Sequence, residues 1–372
     1  MTIKISLVAH NAYGAISGGS AGHVGGVERQ TSMMAFWLQK KGFDVSIITW
    51  DEGQEQDFVI DGVRLIKLCR KDEGLPGMRF FHPRWSSLNA ALKRADADVY
   101  YQNGAEYVTG QVALWCKRNR KKFIFSSASD ADCQRNLPCL DSFREKYLYK
   151  KGLELADHLI VQTEKQAVAL LDAFGMTSTV LPMPCPDLLS DEQPAPKDFH
   201  ERKGVIWVGR ISEEKRLEFL LEVAAKTPEI TYDVLGKPNR DSEYARSVLD
   251  AAEQAENVNI RGMVERDRIR DFYANARILC CTSSFEGFPN TFIEAWSEGL
   301  PIVTTFDPDD LVQRKQLGFA GSEISDLAEK AAHLHSNEDE WTRMSRNARQ
   351  YFVENHELDA AMERFSALFR DV

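Results

Sequence analysis

No stretch of the 372 residues approaches the roughly 18 uninterrupted apolar positions that a membrane-crossing helix needs. The first residues, Met1 to Gly14, lack a basic segment, a long apolar run and a small-residue cleavage site. They read as an opening β-strand, and residence in the cytoplasm is the expectation. Cysteine is sparse and unpatterned. Cys69, Cys116, Cys133, Cys139, Cys185, Cys280 and Cys281 contain no C-x-x-C and have no histidine at metal-ligand spacing. Reduced, mostly buried thiols are expected, which excludes a disulfide framework and argues against a zinc site. Short-period repeats and low-complexity segments are also missing.

Excess charge of one sign is lacking in the first half only. Residues 1–190 carry 23 Lys+Arg against 21 Asp+Glu, and the remainder 23 against 35, within totals of 46 and 56. The acidic second half excludes nucleic acid as a good partner. Basic clusters in the first half (Lys117–Arg118, Arg120–Lys122, then Arg144, Lys146, Lys150 and Lys151) are a solvated face or a surface drawn to anions. The second reading would place the protein at the inner face of a membrane or beside an anionic acceptor.

What is present is a globular balance, 43% hydrophobic and 27% charged, and a regular alternation of short strands with amphipathic segments. Strands are expected at 3–9, 45–50, 63–68, 98–102, 122–127, 158–162 and 179–181, then at 204–209, 231–235, 257–261, 278–282 and 301–305. Several are apolar throughout, as strands covered on both faces should be. The pattern predicts an α/β protein of two Rossmann-like, doubly wound domains facing a cleft. Pro182, Pro184, Pro186, Pro194 and Pro196, with Asp187, Asp191 and Glu192, mark the boundary. The expected division is a first domain over 1–188, a linker over 189–203, a second domain over 204–350 and a final helix over 351–372.

Three segments carry the chemistry. The loop after the first strand holds Gly14, Gly18, Gly19, Gly22, Gly25 and Gly26 ahead of Val27-Glu28. Its glycines allow close backbone approach, and the helix that follows offers free N–H groups and a positive dipole end to a phosphate. A surface loop of no function fits the same composition. The G-x-G-x-x-G dinucleotide pattern does not occur there, although Asp51 after the second strand resembles a ribose-binding acid and keeps a dehydrogenase as an alternative. The second segment is Val208-Gly209-Arg210-Ile211-Ser212-Glu213-Glu214-Lys215-Arg216. Arg210 and Lys215 follow a strand and precede a helix, where a planar fork and a mobile ammonium suit a diphosphate whose charge grows as a glycosidic bond breaks. The third segment runs from Ser283 to Ala295 and places Glu286 in a loop and Glu294 within the following helix, eight positions apart. A sugar ring lies within reach of the first carboxylate and ribose hydroxyls within reach of the second.

Taken in order, Gly25-Gly26-Val27-Glu28, the V-G-R…K segment, Gly262 and E-G-F-P-N-T-F-I-E resemble the family-4 retaining glycosyltransferases of the two-Rossmann GT-B fold. The resemblance runs over nearly the whole chain. It implies that Arg210 and Lys215 hold the donor diphosphate, Glu294 the nucleotide ribose, and Glu286 the hydroxyls of the transferred sugar. Gly25 and Gly26 would approach the diphosphate, Met263 the base beside the 236–240 loop, and Gly287, Phe288, Pro289, Asn290 and Thr291 the donor site. The final helix would cross back onto the first domain. The implied reaction takes a UDP- or GDP-linked sugar to a glycan or lipid-linked acceptor in polysaccharide or glycoconjugate synthesis, without a cofactor or a metal.

Two departures from the family pattern stand out. Relatives carry a histidine after the fifth strand, where this chain reads Phe125-Ser126-Ser127-Ala128-Ser129-Asp130-Ala131-Asp132, so Ser129 or Asp130 is the candidate replacement on the acceptor side. Arg216 stands where relatives often have glycine and is read as facing solvent in preference to adding another cation beside the phosphate site. Of three Asp-x-Asp pairs, 96/98, 130/132 and 307/309, only Asp130/Asp132 follows a strand as a metal-diphosphate pair would. His10 and His23 border the glycine loop, and the cluster from Phe80 to Trp85 offers aromatic faces to a glycan. A nucleotide-sugar epimerase of the same fold and a non-catalytic glycan-binding relative remain as alternatives.

Overall fold

The computed structural model describes residues 2–18, 25–189, 194–238 and 240–371. Gly19, Gly22 and His23 of the glycine loop, Asp191 and Glu192 of the linker, and Asn239 of the 236–240 loop lie outside the described residues. The chain divides into two compact units, Met1–Pro184 with Ala361–Val372, and Cys185–Ala360.

Unit 1 is built on β1 (Lys4–Val8), β2 (Asp44–Thr49), β3 (Phe58–Ile60), β4 (Val63–Lys67), β5 (Val99–Asn103), β6 (Lys122–Ser126), β7 (His158–Val161) and β8 (Thr179–Val180). Their order is β3-β4-β2-β1-β5-β6-β7-β8, parallel except for the β3–β4 hairpin at the edge. The strands anticipated from apolar runs all form. β3 is additional: three largely exposed residues give no periodicity to read. The helices Val108–Asn119 and Phe143–Leu155 pack backbone to backbone at glycine, since a Cβ on Gly110 would lie 2.1 Å from the Leu148 carbonyl oxygen. Ser142 and Glu145 close a capping box at the start of the second of these helices. In the last helix, Leu358–Asp371, Phe369 packs edge-on against Tyr101 of β5, 5.7 Å between centroids.

Unit 2 holds β9 (Val205–Val208), β10 (Tyr232–Leu235), β11 (Val258–Gly262), β12 (Ile278–Cys281), β13 (Ile302–Thr304) and β14 (Gly318–Ala320). The all-parallel order β11-β10-β9-β12-β13-β14 is the 3-2-1-4-5-6 arrangement of a Rossmann sheet. β14 escapes sequence reading because it is three residues long and starts on a glycine, whose Cβ would meet the Ile302 carbonyl oxygen at 1.9 Å. The proline-rich stretch is tied into this unit. Cys185 N–H donates to the His356 carbonyl, Arg349 pairs with Asp187, and the fully buried Arg202 donates to the carbonyls of Lys197, Tyr273, Ala276 and Glu298. All seven cysteines are free thiols, six buried and Cys139 exposed.

Candidate active site

Among the parallel strands of each sheet the order reverses once, between β1 and β5 in unit 1 and between β9 and β12 in unit 2. Ligands of doubly wound sheets bind beyond the carboxyl ends of the strands at such switch points. In unit 2 the second and third sequence segments both arrive there, one from β9 and one from β12.

They are joined by a dense set of bonds. Thr282 Oγ1 donates to the Lys215 carbonyl at 2.7 Å and accepts from Trp207 Nε1 at 3.0 Å. Ser284 donates its N–H and its hydroxyl to the Glu214 carbonyl. Thr305 Oγ1 donates to the Ser283 carbonyl at 2.7 Å. Lys215 Nζ thereby meets Glu286 Oε1, which also accepts from Ser283 Oγ at 2.6 Å. Both side chains of the ion pair are largely buried, so the cation and the carboxylate are already oriented before any ligand arrives. Arg210 is more open and sits 4.0 Å from Glu214. Burial pushes the Glu214 carboxyl up, but hydrogen bonds from Ser212 and its own backbone, with the charges of Arg210 and Lys215, prevail and lower its pKa.

Arg216 does not face solvent, contrary to the sequence expectation. It adopts the left-handed conformation, φ 48° and ψ 56°, that favours glycine. Its guanidinium donates to the carbonyls of Thr282 at 2.7 Å and Ser283 at 3.1 Å and lies over the Phe219 ring. A left-handed residue turns the chain there, and the side chain is spent on the loop that presents Glu286.

The helix Asn290–Ser297 begins after Pro289 and buries Glu294, only 7% exposed, where Tyr273 donates its hydroxyl to Oε2 at 2.8 Å. Thr291 lies in its first turn, and Gly287 and Phe288 lead into it. Phe288 packs against Trp296 and His356. Above β9 to β11 the backbones continue in contact: Gly209 N–H donates to the Leu235 carbonyl and Gly236 N–H to that of Gly262. A Cβ on Gly236 would lie 1.7 Å from the Gly209 carbonyl oxygen, so only glycine fits. Met263, just beyond, is 69% exposed. Ser283, Trp207 and Tyr273 are the residues that sequence reasoning missed. Ser283 lies inside the quoted segment, but Trp207 and Tyr273 come from elements with no motif of their own.

In unit 1, Gly25 is the extended N-cap of the helix Gly26–Lys40. Ser129 and Asp130 are both engaged, one within its loop and one by a neighbouring helix: Ser129 Oγ donates to Asp132 Oδ1 at 3.1 Å, and Asp130 Oδ1 accepts from Gln166 Nε2 of the helix Glu164–Phe174 at 2.9 Å. Asp132 also accepts the N–H groups of Ala128 and Ser129, and burial holds its carboxyl above the usual range. Asp307 accepts from the N–H groups of Val312 and Gln313, and Asp96 pairs with Lys4 and Lys121. Each Asp-x-Asp pair therefore has a structural occupation. Asp51, the candidate ribose acid, pairs with Lys67 at 3.3 Å.

Two Rossmann-type parallel sheets on one chain, with an Arg…Lys and E-x₇-E constellation at the second switch point, define a glycosyltransferase of the GT-B fold. The comparisons agree. The model for glycosyl transferases group 1 matches residues 190–351, and that for the glycosyl transferase 4-like domain matches residues 25–185. The chain belongs to the group 1 glycosyltransferases of family 4.

Among curated relatives it is 24% identical over 236 residues to a poly(ribitol-phosphate) alpha-N-acetylglucosaminyltransferase of Staphylococcus aureus, covering 60% of this chain and 46% of that one. It is 26% identical over 157 residues to the GtfA subunit of a UDP-N-acetylglucosamine–peptide N-acetylglucosaminyltransferase of Streptococcus pneumoniae, covering 40% of this chain and 30% of the relative. The matched part is thus less than half the length of either relative. Sucrose-phosphate synthase from Thermosynechococcus elongatus shares the fold, with a TM-score of 0.79 and 16% identity over 99% of this chain and 98% of that one.

Proposed function

We propose that the chain is a retaining, metal-independent glycosyltransferase that moves a sugar from a nucleoside-diphosphate donor to a hydroxyl of a glycan or glycolipid. The observation that carries this reading is the preformed Lys215–Glu286–Ser283 cluster beside Arg210 at the unit 2 switch point. Arg210 and Lys215 bind the diphosphate and neutralise the charge that develops on it as the C1–O bond breaks. They take the part that a divalent metal has elsewhere. Glu286 receives hydroxyls of the transferred sugar and faces the cationic character at C1. Glu294, steadied by Tyr273, accepts the ribose hydroxyls, while Met263 and the 236–240 loop approach the base. Gly25 and Gly26, at the start of the helix Gly26–Lys40 of unit 1, offer N–H groups suited to an anion.

In the retaining step the acceptor oxygen bonds to C1 on the face that the diphosphate leaves. The hydroxyl proton passes to the departing phosphate oxygen, so no separate base is needed. Of UDP- and GDP-linked donors, UDP-N-acetylglucosamine is the first to try, because the streptococcal relative's name gives that donor and the staphylococcal relative's name gives N-acetylglucosamine. In unit 1 the helix Phe143–Leu155 exposes Phe143 and Tyr147 between basic residues, which supports contact with an anionic membrane where a lipid-linked acceptor resides.

The test is thermal unfolding with millimolar UDP, GDP, ADP and NAD, for the wild type and Arg210→Ala. A ligand at about 100 times its Kd stabilises by about 2.7 kcal/mol, a shift of a few degrees. The expected result is a shift with UDP or GDP that Arg210→Ala loses. A shift with NAD alone, or with none of the four, overturns the donor site.

A further inference from the structure

The helix Asn290–Ser297 carries Glu294, and with eight residues it makes too few intrahelical bonds to hold itself in place. Its start faces the donor reading described above, so its end must supply the anchorage. The carbonyls there are engaged one by one. That of Ala295 accepts the N–H groups of Glu298 and Leu300, and that of Trp296 the N–H of Gly299. Two guanidinium groups then grip the end from outside: Arg202 donates to the Glu298 carbonyl at 2.6 Å, and Arg349 to the Ser297 carbonyl at 2.7 Å. Cations placed here also meet the negative pole of the helix dipole.

Arg202 is fully buried and belongs to the core, whereas Arg349 depends on one carboxylate. From the helix Glu338–Asn355, its Nη1 donates to Asp187 Oδ1 at 2.8 Å and its Nη2 to Oδ2 at 2.5 Å. The same Nη1 serves the Ser297 carbonyl, so the carboxylate fixes the plane in which the guanidinium meets the helix. Asp187 comes from the proline-rich stretch, two residues after Cys185. The Cys185 N–H donates to the His356 carbonyl at 2.8 Å, and Cys185 forms a parallel bridge with Glu357. The His356 ring packs on Phe288 at 5.1 Å and on Trp296 at 6.2 Å, between centroids. Residues 185–187 thus reach both ends of the short helix, its start through His356 and Phe288 and its end through Arg349 and Ser297. Asp187 and Arg349 take no part in the donor contacts proposed above.

We propose that Asp187 and Arg349 are positioning residues of the donor site: by seating the end of the helix Asn290–Ser297 they set the place of Glu294 for the nucleotide ribose. The inference deepens the donor reading and rests on it. The proline-rich stretch is then a working part of the donor site and not a passive linker. By linkage, nucleotide bound at Glu294 steadies the pair as strongly as the pair favours the nucleotide.

The test uses the full chain with isotopically labelled tryptophan, as wild type, Asp187→Asn, Asp187→Glu and Arg349→Lys, with UDP and GDP as probes. Trp296 is fully buried in the same helix, and its indole resonance, assigned through Trp296→Phe, reports the helix's place without nucleotide. That resonance is expected to move in Asp187→Asn and in Arg349→Lys, whose point charge cannot replace a planar fork. It should stay near its wild-type place in Asp187→Glu, which keeps the carboxylate. For whichever nucleotide the wild type binds, Asp187→Asn is expected to weaken binding by about tenfold, equivalent to about 1.4 kcal/mol, and Asp187→Glu to recover most of it. In nucleoside diphosphate release from the donor, the loss should fall on KM with kcat nearly constant, a split that general destabilisation does not produce. A Trp296 resonance unmoved in both Asp187→Asn and Arg349→Lys, or nucleotide affinity unchanged in both, overturns the positioning role. Wild-type protein that binds neither nucleotide strikes the donor reading and this role with it, and the resonance separates that failure from a failure of the pair to seat the helix.

Discussion

Lys215 and Glu286 form the ion pair at the unit 2 switch point, and each preserves the position of the other. Removing one leaves a largely buried charge without its partner and, on the proposed reading, takes a contact from the donor as well. Lys215→Ala and Glu286→Gln are each expected to lower kcat by about 10²–10³-fold, the scale of losing one preorganised electrostatic group. Nucleoside diphosphate release from the donor measures this, and an unchanged kcat in either variant would remove that residue from the site.

Glu298 makes a different residue-scale statement. It is fully buried, with Arg270 Nε 3.5 Å away, and burial raises its pKa above the ordinary 4.5 despite Arg202 and Arg270. The folded state therefore holds this proton more tightly than the unfolded chain. Its contribution is complete below pH 4.5 and is lost as pH rises through the folded value. Glu298→Gln should flatten the fall in melting temperature between pH 4.5 and neutrality, and parallel wild-type and variant profiles would refute the assignment.

At the scale of elements, the turn 213–216 and the loop 282–286 behave as one body because side chains of each bond the backbone of the other. Arg216 is the informative member: its backbone favours glycine while its side chain holds two carbonyls of the opposing loop. Arg216→Gly removes left-handed strain of about 1 kcal/mol and loses two hydrogen bonds of similar worth, so stability should change little. The Glu286 loop should loosen, and kcat should fall with donor KM nearly constant. Equal kcat in Arg216→Gly and wild type would show that the remaining bonds suffice.

The helix Phe143–Leu155 poses a surface question. Phe143 is 86% exposed, and Arg135, Lys146, Tyr147 and Lys150 line an open groove of about 570 Å³ with it. Sedimentation with vesicles containing anionic lipid should capture the wild type, and Phe143→Ser with Lys150→Ser should abolish capture. Equal capture by neutral vesicles would contradict an electrostatic contact.

For the whole molecule, two units of the same architecture carry different polar sets at equivalent places. The unit 2 switch point gathers cations beside a carboxylate, and that of unit 1 gathers an imidazole–carboxylate pair among aromatics. Hydrogen exchange with UDP or GDP should protect 209–216 and 282–294 in unit 2. Protection spread evenly over both sheets would indicate general stabilisation and not a donor site. No helix among the described residues is long and apolar enough to cross a membrane.

The sequence by itself determined the two-sheet α/β architecture, since apolar strands buried on both faces leave a periodic mark and each is local. It also determined the order and types of the Arg210, Lys215, Glu286 and Glu294 segments, because strand–loop–helix signals place them without reference to the rest of the chain. Tertiary structure alone decided what those side chains touch. Arg216 reads as solvated from its neighbours, and only the approach of Thr282 and Ser283, 66 and 67 positions away, gives it carbonyls to bind. His10 and Glu106 are likewise 96 residues apart in the sequence, and they meet because β1 and β5 are adjacent at the switch point. Local pattern encodes which element forms; pairing between distant strand ends is set by sheet order, and sheet order is a property of the folded core.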